Sequence, residues 1–332
     1  MKILIPSACH VDSFTANVAY TLRAMGHEVE TGPERSWSKL NRWRQRFRYL
    51  KRDALARVLG GGDERDAKPY LERARVFRPD LVLALTTALS DETIAAFRAA
   101  GAGLVVAWWG DAPGNMRRRG LFSEAWDVIF LKDPDAVAAF RRCGLTAHLL
   151  HEAHNPDWHK PVGSTYNQNV SVVGNAYFYR QTLVARLMGD GVPIEFYGSE
   201  PPLWSRPEIV RVHSGTYVAG IDKSRVFHQS LASLNSTSLV ERNSMNCRAF
   251  EIAGAAGLQL IERRDIIESC FDPGRELLVF DAYEELREHI RRAERDPRAA
   301  RNVREQGRRR ALAHHTYEHR LRDLLDICRT GP

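Results

Sequence analysis

Short apolar runs alternate with longer amphipathic stretches along this sequence, and the pattern occurs twice. Such alternation is typical of parallel strands joined by crossover helices that cover both faces of a sheet. In the first half the predicted strands are Lys2–Ile5, His27–Glu30, Leu81–Leu85, Leu104–Trp108 and Asp127–Phe130, with helices that include Ser13–Met25, Asp91–Ala100 and Pro134–Arg142. The sequence therefore predicts an α/β fold.

A polar segment interrupts this pattern near the middle of the chain. It reads "HEAHNPDWHKPVGSTYNQN" over residues 151–169, and its prolines and glycine are typical of a connection between domains. The alternation then restarts, with predicted strands at Val170–Val173, Ile194–Tyr197, Leu231–Leu234, Leu258–Ile261 and Leu277–Phe280. We expect two doubly wound, Rossmann-like domains, residues 1–155 and 170–314, joined by a linker at 156–169.

The composition favours a reduced, cytoplasmic protein. No apolar run of the 332 residues approaches the roughly 20 residues that a membrane span needs. The opening residues "MKILIP" are too short for the core of a signal peptide, and we interpret them as the first strand. The five cysteines are scattered and form no CxxC pair, which favours free thiols over a disulfide framework or a zinc site.

The positive charge is concentrated near the N-terminus. The chain carries a formal net charge of +7, and Arg35–Arg57 interleaves arginines with aromatic residues as "RSWSKLNRWRQRFRYLKRDALAR". One interpretation is a solvated helix whose aromatic side chains pack inward. The other is a contact with a phosphate-rich partner, such as nucleic acid, a charged acceptor, or anionic lipid at the inner membrane surface.

The carboxyl edges of the two sheets are where a ligand is expected, and we expect those edges to face a common cleft. The first strand–helix loop has no GxGxxG, and no GxxxxGK[ST] occurs in the chain. These absences argue against a dinucleotide-dependent dehydrogenase and against a P-loop ATPase.

A helix in the second half carries the most informative pair of side chains. Residues 246–257 read "NCRAFEIAGAAG", with Arg248 and Glu251 on one helical face and Asn243 or Ser244 as the expected N-cap. The N-terminus of a helix favours an anion, and an arginine there is a bidentate phosphate donor. The glutamate, one turn later, can accept hydrogen bonds from the hydroxyl groups of a ribose or another sugar. The alternative is a surface ion pair worth about 0.3–0.5 kcal/mol.

Several stretches, in order, resemble the C-terminal half of GT-B glycosyltransferases, and most closely the spore-maturation CgeB-like group. The matching stretches are "VSVVGNAYFYR" (Val170–Arg180), "IEFYG" (Ile194–Gly198), "GIDKSRVFHQSLASLN" (Gly220–Asn235), "RAFEIAGAAG" (Arg248–Gly257) and "HTYEHRLRDLL" (His315–Leu325). The N-terminal half matches only loosely. The resemblance implies a GT-B fold whose closing helix, within residues 315–332, crosses back onto the first domain.

The resemblance also implies a nucleoside-diphosphate sugar as donor, a hydroxyl acceptor and no metal or other cofactor. A glycine–asparagine turn would approach the donor phosphates, basic side chains would neutralise the leaving diphosphate, a tyrosine and a glycine would lie near the base, and a carboxylate would hold the ribose. The implied donor-binding residues are Gly174, Asn175, Arg180, Tyr197, Gly198, Lys223, Asn235, Arg248 and Glu251.

One position departs from the retaining relatives. They have a glutamate about seven residues before the helix glutamate, which holds the donor sugar. Here Ser244 and its neighbours occupy that place, with Glu241 three positions upstream. The departure leaves the inverting and retaining mechanisms both open.

Two loops of the first half supply candidates for the base that an inverting mechanism needs. After the fourth strand, "VVAWWGDAPGN" places Asp111 to take a proton from an acceptor hydroxyl, and Trp108 and Trp109 to form a sugar or lipid platform. After the first strand, "SACHVDS" offers His10 with Asp12 as its orienting carboxylate. The alternatives are that one tryptophan is core and that each aspartate only caps the next turn or helix.

Two histidines near the C-terminus are spaced as zinc ligands on a helix would be. His315 and His319 are four residues apart, but no carboxylate–histidine set accompanies them, and we expect packing rather than a metal. The sequence therefore favours a metal-independent glycosyltransferase. The alternatives are a non-catalytic scaffold that binds an anionic partner through Arg35–Arg57, and a nucleotide-sugar epimerase.

Overall fold

The chain divides into two compact units in the computed structural model, which describes residues 1–34, 62–87, 89–111 and 121–330. The first unit comprises Met1–Leu150 with Leu321–Pro332, and the second comprises His151–Arg320. The sequence placed the end of the first domain at residue 155, whereas residues 151–155 are buried and belong to the second unit. The last part of the closing helix belongs to the first unit.

The described part of the first unit is built on six parallel strands in the order β2-β1-β3-β4-β5-β6. Among the described residues, a crossover helix lies in four of the five connections between consecutive strands, as the apolar alternation predicted. The elements are β1 Lys2–Ile5, α1 Phe14–Ala24, β2 Glu28–Thr31, α2 Gly62–Phe77, β3 Leu81–Leu85, α3 Asp91–Ala99, β4 Leu104–Trp109, β5 Val128–Leu131, α4 Pro134–Arg142 and β6 Ala147–Leu149.

The second unit has five parallel strands among its described residues, in the order β11-β10-β9-β7-β8. Its first strand, β7, pairs with both β8 and β9, and Val173 at the end of β7 is opposite Tyr197 at the end of β8. The elements are β7 Val170–Val173, α5 Phe178–Gly189, β8 Ile194–Tyr197, α6 Pro207–Val212, α7 Gly220–Gln229, β9 Ala232–Asn235, α8 Cys247–Gly254, β10 Gln259–Glu262, α9 Ile267–Cys270, β11 Leu278–Phe280, α10 Tyr283–Arg295, α11 Pro297–His314 and α12 Tyr317–Thr330.

Several strands inside each sheet are buried along their whole length. β3 and β5 in the first unit and β7 and β9 in the second show no exposed or half-buried residue. Helices on both faces remove such strands from water, which explains why they appear in the sequence as continuous apolar runs. The site described next lies at the carboxyl end of β7, an inner strand of the second sheet.

Candidate functional site

The turn after β7 brings two loops of the second unit into close contact. Gly174 has φ +136° and Gly198, after β8, has φ +144°, a region that side chains rarely adopt. A Cβ at Gly198 would lie 2.3 Å from the carbonyl oxygen of Gly174. Glycine is therefore required at both positions, for the backbone angle and for the close approach.

Two guanidinium groups converge on Gly174. A Cβ added there would lie 2.8 Å from a terminal nitrogen of Arg248 and 3.0 Å from one of Arg180. Arg248 donates to the carbonyl oxygen of Val173, and Arg180 donates to the carbonyl oxygen of Asn175 at 2.7 Å. The turn thus holds two like charges side by side, an arrangement that an anion would stabilise.

Arg180 is buried and retains its charge. Its Nε donates to Ser236 Oγ at 3.0 Å, and its other terminal nitrogen donates to the Ser236 carbonyl oxygen. The hydrogen bonds described for Arg180 therefore all go to neutral oxygens. Burial and the neighbouring Arg248 lower the pKa of Arg180 to about 10, so the group stays protonated at neutral pH.

Helix α8 begins one residue before Arg248, and its N-cap differs from the prediction. Asn246 Oδ1 accepts from the backbone N–H of Ala249 at 3.0 Å, so Asn246 caps the helix. The prediction of Asn243 or Ser244 was wrong because their side chains are bonded elsewhere. Asn243 accepts from the Ile266 N–H at 3.1 Å, and Ser244 Oγ donates to Glu241 at 3.3 Å.

Asn235 at the end of β9 holds this cap in place. Its side-chain amide and that of Asn246 exchange two hydrogen bonds, of 3.1 and 2.9 Å, across the loop between β9 and α8. Asn235 is buried, and both polar atoms of its side chain are used in this pair. The structure therefore gives Asn235 a part in positioning the helix that carries Arg248.

Glu251, one turn into α8, lies at the centre of a buried ion-pair network. Its Oε1 is 2.8 Å from Lys223 Nζ, and its Oε2 is 3.6 Å from Arg248 Nε. The side chain is only 3% exposed, and Lys223, on α7, is also buried. Arg248 and Glu251 are therefore not the isolated surface pair of the alternative interpretation.

The sequence did not single out two other residues that contact this network. Ser236 follows β9 and binds Arg180 through both its hydroxyl and its carbonyl oxygen. His159 is buried, accepts from the Asn155 N–H through Nδ1 at 3.0 Å, and places Nε2 3.9 Å from Glu251 Oε1. Its position inside the predicted linker concealed it, because a polar, proline-containing segment is typical of an exposed connection.

Tyr197 and Gly198 end β8 next to this turn. Tyr197 is half-buried and packs against an apolar cluster that contains Val173 and Val218. Burial and a hydrogen bond to Glu195 raise the pKa of the Tyr197 phenol, so it remains a neutral hydroxyl at physiological pH. Asn175 is exposed, and its amide nitrogen lies 3.4 Å from the hydroxyl of Tyr177.

The candidate bases belong to the first unit. Asp12 has φ +58° and accepts from the Asn17 side chain at 3.2 Å, while Ser13 caps α1 by accepting from the Ala16 N–H at 3.1 Å. The alternative that Asp12 caps this helix is therefore wrong. His10 is half-buried, and its backbone N–H donates to Ser13 Oγ at 3.2 Å.

The loop after β4 carries Asp111, which is half-buried. The two tryptophans before it do not form a platform. Trp108 is fully buried and donates from Nε1 to the Leu150 carbonyl oxygen at 3.2 Å, and Trp109 packs in the core of the first unit. The platform prediction was wrong because both side chains belong to a strand that is covered on its two faces.

The two C-terminal histidines do not share a helix. α11 ends at His314 and α12 begins at Tyr317. His315 Nε2 is 2.8 Å from the Cys270 carbonyl oxygen and its Nδ1 is 2.7 Å from an Arg320 nitrogen, whereas His319 Nδ1 is 2.7 Å from Thr316 Oγ1. Both rings are therefore held by hydrogen-bond contacts within the protein.

The basic segment Arg35–Arg57 lies outside the described residues, and no described helix has the length and apolar character of a membrane span.

Comparisons with known proteins identify the fold. A family model described as glycosyl transferase-like matches residues 178–326, and no curated protein sequence matches the chain. Sucrose-phosphate synthase from Thermosynechococcus elongatus is similar in structure, with a TM-score of 0.68 at 14% identity over 99% of this chain and 98% of that chain. HepE from Anabaena, in complex with UDP-glucose, has a TM-score of 0.64 at 11% identity over 98% and 99%.

A third similar structure is α,α-trehalose 6-phosphate synthase from Burkholderia multivorans, with a TM-score of 0.59 at 12% identity over 98% of each chain. These likenesses extend over nearly the whole of each chain. They confirm the fold predicted from the sequence: this protein has the GT-B fold, with two Rossmann-like units of parallel sheet.

Proposed function

We propose that this protein transfers a sugar from a nucleoside-diphosphate sugar to a hydroxyl acceptor. The observation that carries the proposal is the pair of guanidinium groups, Arg180 and Arg248, held over the Gly174 turn at the carboxyl end of β7. That edge is where open α/β sheets bind ligands. The glycosyl transferase-like match over residues 178–326 and the UDP-glucose complex of the similar HepE support it.

Electrostatics favour a diphosphate at this place. Arg180, Arg248 and Lys223 contribute three positive charges, and Glu251 contributes one negative charge within contact distance of two of them. The N-terminus of α8 adds N–H groups and the positive end of a helix dipole, worth up to about 2 kcal/mol for an anion in a partly buried geometry. A nucleoside diphosphate would balance this excess of positive charge.

In the reaction, the acceptor oxygen would bond to the anomeric carbon while the bond from that carbon to the diphosphate breaks. The negative charge that develops on the leaving diphosphate would be stabilised by Arg180, Arg248 and the α8 N-terminus, so we propose that no divalent metal is needed. Lys223 would add to this charge and would hold Glu251, which we assign to the ribose hydroxyls.

The acceptor proton has two destinations. In an inverting reaction it would go to Asp111, or to His10 oriented by Asp12, all in the first unit. In a retaining reaction it would go to the leaving diphosphate itself.

We also propose that the protein is related to the CgeB-like group, because the matching stretches lie in its second half. We propose that it works in the cytoplasm.

Thermal shift with nucleoside diphosphates tests the donor site. We expect UDP, GDP, TDP or ADP at millimolar concentration, in EDTA, to raise the melting temperature. Arg248→Ala should reduce the rise, whereas Arg225→Ala, which removes an exposed arginine paired with Asp222, should not. The absence of a shift with all four diphosphates would contradict the proposal.

Product analysis then tests the reaction. With the best donor alone we expect only slow hydrolysis to the free sugar and the nucleoside diphosphate. A transferase gives a new glycoside when a hydroxyl acceptor is added. Conversion of the donor into an isomeric nucleotide-sugar would instead identify an epimerase.

A further inference from the structure

An apolar patch of three side chains stands on the surface of the second unit. Leu203 is fully exposed, Trp204 is 59% exposed and Phe178 is 58% exposed. Phe178 begins α5, and the other two lie between β8 and α6. The ring centroids of Phe178 and Trp204 are 6.3 Å apart, so the aromatic side chains contact each other and form one continuous surface.

The shape of the patch is a protruding turn. The Ser205 N–H donates to the Pro202 carbonyl oxygen at 2.9 Å, which places Leu203 and Trp204 at the two central positions of a four-residue turn. Two large apolar side chains at the tip of a turn are convex. A convex apolar tip suits insertion into a soft apolar medium better than it suits the docking of a helix or a small ligand.

A buried glutamine fixes this turn to the unit. Gln181 is fully buried, and its Oε1 accepts from the Arg206 N–H at 2.8 Å. Its Nε2 donates to the Ala176 carbonyl oxygen at 2.8 Å and lies 3.4 Å from Ser205 Oγ. The turn is therefore hydrogen-bonded at its C-terminal end to α5. These bonds hold its apolar tip in the exposed position.

A basic side chain adjoins the patch. The Arg206 guanidinium lies over the Phe178 ring, 5.6 Å from its centroid. Tryptophan and phenylalanine with arginine at their edge are the residues that settle at the boundary between lipid headgroups and acyl chains. Residues 35–57 hold nine basic residues and one acidic residue and so account for the whole net charge of +7, whereas Arg206 is the basic side chain at the patch itself.

We propose that the apolar patch of Leu203, Trp204 and Phe178 inserts into the interface of an anionic lipid bilayer and docks the second unit there. Leucine and tryptophan would enter the headgroup region, and Arg206 would contact lipid phosphate. The patch does not include the basic segment Arg35–Arg57, which lies outside the described residues. It also does not depend on the proposed sugar transfer, because the test uses neither donor nor acceptor.

Sedimentation of the full chain with large unilamellar vesicles tests the proposal. We expect binding to equimolar phosphatidylcholine and phosphatidylglycerol, and weaker binding to phosphatidylcholine alone. The double variant Leu203→Ser/Trp204→Ser should lower the partition coefficient by about 100-fold, since burial of each side chain is worth about tenfold. The control Val76→Ser removes an exposed apolar side chain from α2 and should bind as the wild type does.

A second measurement locates the contact. Brominated lipids quench tryptophan fluorescence at the interface, and Trp204→Phe should remove a quenched component from the signal of the seven tryptophans. Equal melting temperatures would show that the variants fold.

Three results would overturn the proposal. The wild type could fail to bind either vesicle. The double variant could bind as tightly as the wild type, with salt abolishing both, which would assign binding to electrostatics elsewhere in the chain. Finally, gel filtration could show that the wild type self-associates through this patch and that the double variant does not, with vesicle binding unchanged.

Discussion

The first loop of each unit occupies the same place in a parallel sheet, yet the two loops use different chemistry. In the second unit the chain leaves β7 through Gly174 and meets two arginines. In the first unit it leaves β1 through a loop with His10 and Asp12, where Ser13 caps the next helix. In both units the parallel topology exposes a carboxyl edge of the sheet where a ligand can bind. The side chains around the first turn decide whether that edge attracts an anion.

The same contrast holds for charge burial. The described pairs of the second unit include Lys223–Glu251, which is almost completely buried, whereas Arg98–Asp127 in the first unit is partly exposed. A buried pair depends on both partners, because removing one leaves a charge without compensation. An exposed pair is screened by water and contributes little.

The buried ion pair should give the largest effect on stability. Lys223→Met removes the ammonium group 2.8 Å from the buried Glu251 carboxylate, and we expect a loss of about 3–5 kcal/mol in the free energy of unfolding by urea. Arg98→Met in the first unit should lose only about 0.2–1 kcal/mol. The double variant Lys223→Met/Glu251→Met should recover most of the loss. Equal losses for both single variants would remove the contrast between the units.

Acid should destabilise the second unit first. Burial lowers the pKa of His154 and of His315 to about 3, well below the value of about 6.5 in an unfolded chain. Both are neutral in either state above pH 6.5, so no stability is lost there. Between pH 6.5 and 3 only the unfolded state takes up the protons, and each histidine should cost about 1.4 kcal/mol per pH unit.

Hydrogen exchange at decreasing pH measures this order. Peptides from residues 151–320 should lose protection before those from 1–34 and 62–111, although His27 and His148 in the first unit also have a lowered pKa through partial burial. His315→Gln should shift the loss in the second unit to lower pH. Simultaneous loss in both units would show that these histidines do not set the acid limit.

Alanine substitutions at Gly174 and Gly26 should distinguish the effect of steric crowding on ligand binding from the effect of backbone strain on stability. Gly174→Ala places a Cβ against both arginines at φ +136°, and we expect nucleoside diphosphate affinity to fall by about 100-fold or more, as expected for the loss of charge-assisted contacts. Gly26→Ala in the first unit also has a positive φ, but nothing lies within 4 Å of its Cβ. It should cost about 1–3 kcal/mol of stability and leave binding intact. Titration calorimetry with UDP and melting temperature compare the two.

Loss of a helix cap should cost less than loss of the buried ion pair. Ser13→Ala removes only an N-cap and should cost about 1 kcal/mol. Asn246→Ala should cost about 1–3 kcal/mol more than that, because it also leaves the buried Asn235 amide without its two hydrogen bonds. Only Asn246→Ala should also weaken diphosphate binding, because α8 carries Arg248. If Ser13→Ala weakened binding as much, the loop after β1 would have to be part of the donor site.

Much of the scaffold could be predicted because its signal is local. The strands Lys2–Ile5, Leu81–Leu85 and Val170–Val173 have the bounds that their apolar runs predicted. Strand β6, which has only one fully buried residue, gave no such signal. The N-cap of α8 was misplaced because Asn243, Ser244 and Asn246 all have capping side chains, and only the partners of each one decide between them.

Strand and helix periodicity depends on neighbours a few residues apart, so it could predict two parallel-sheet units and the helix that bears Arg248 and Glu251. The tertiary fold places Arg180 beside Arg248 and pairs Lys223 with Glu251, which no local pattern indicated. It also places Trp108 and Trp109 in the core. Such pairings form between side chains of different helices that are far apart in the chain and meet near the carboxyl edge of one sheet. Burial at that edge, which no local pattern records, makes each pairing strong.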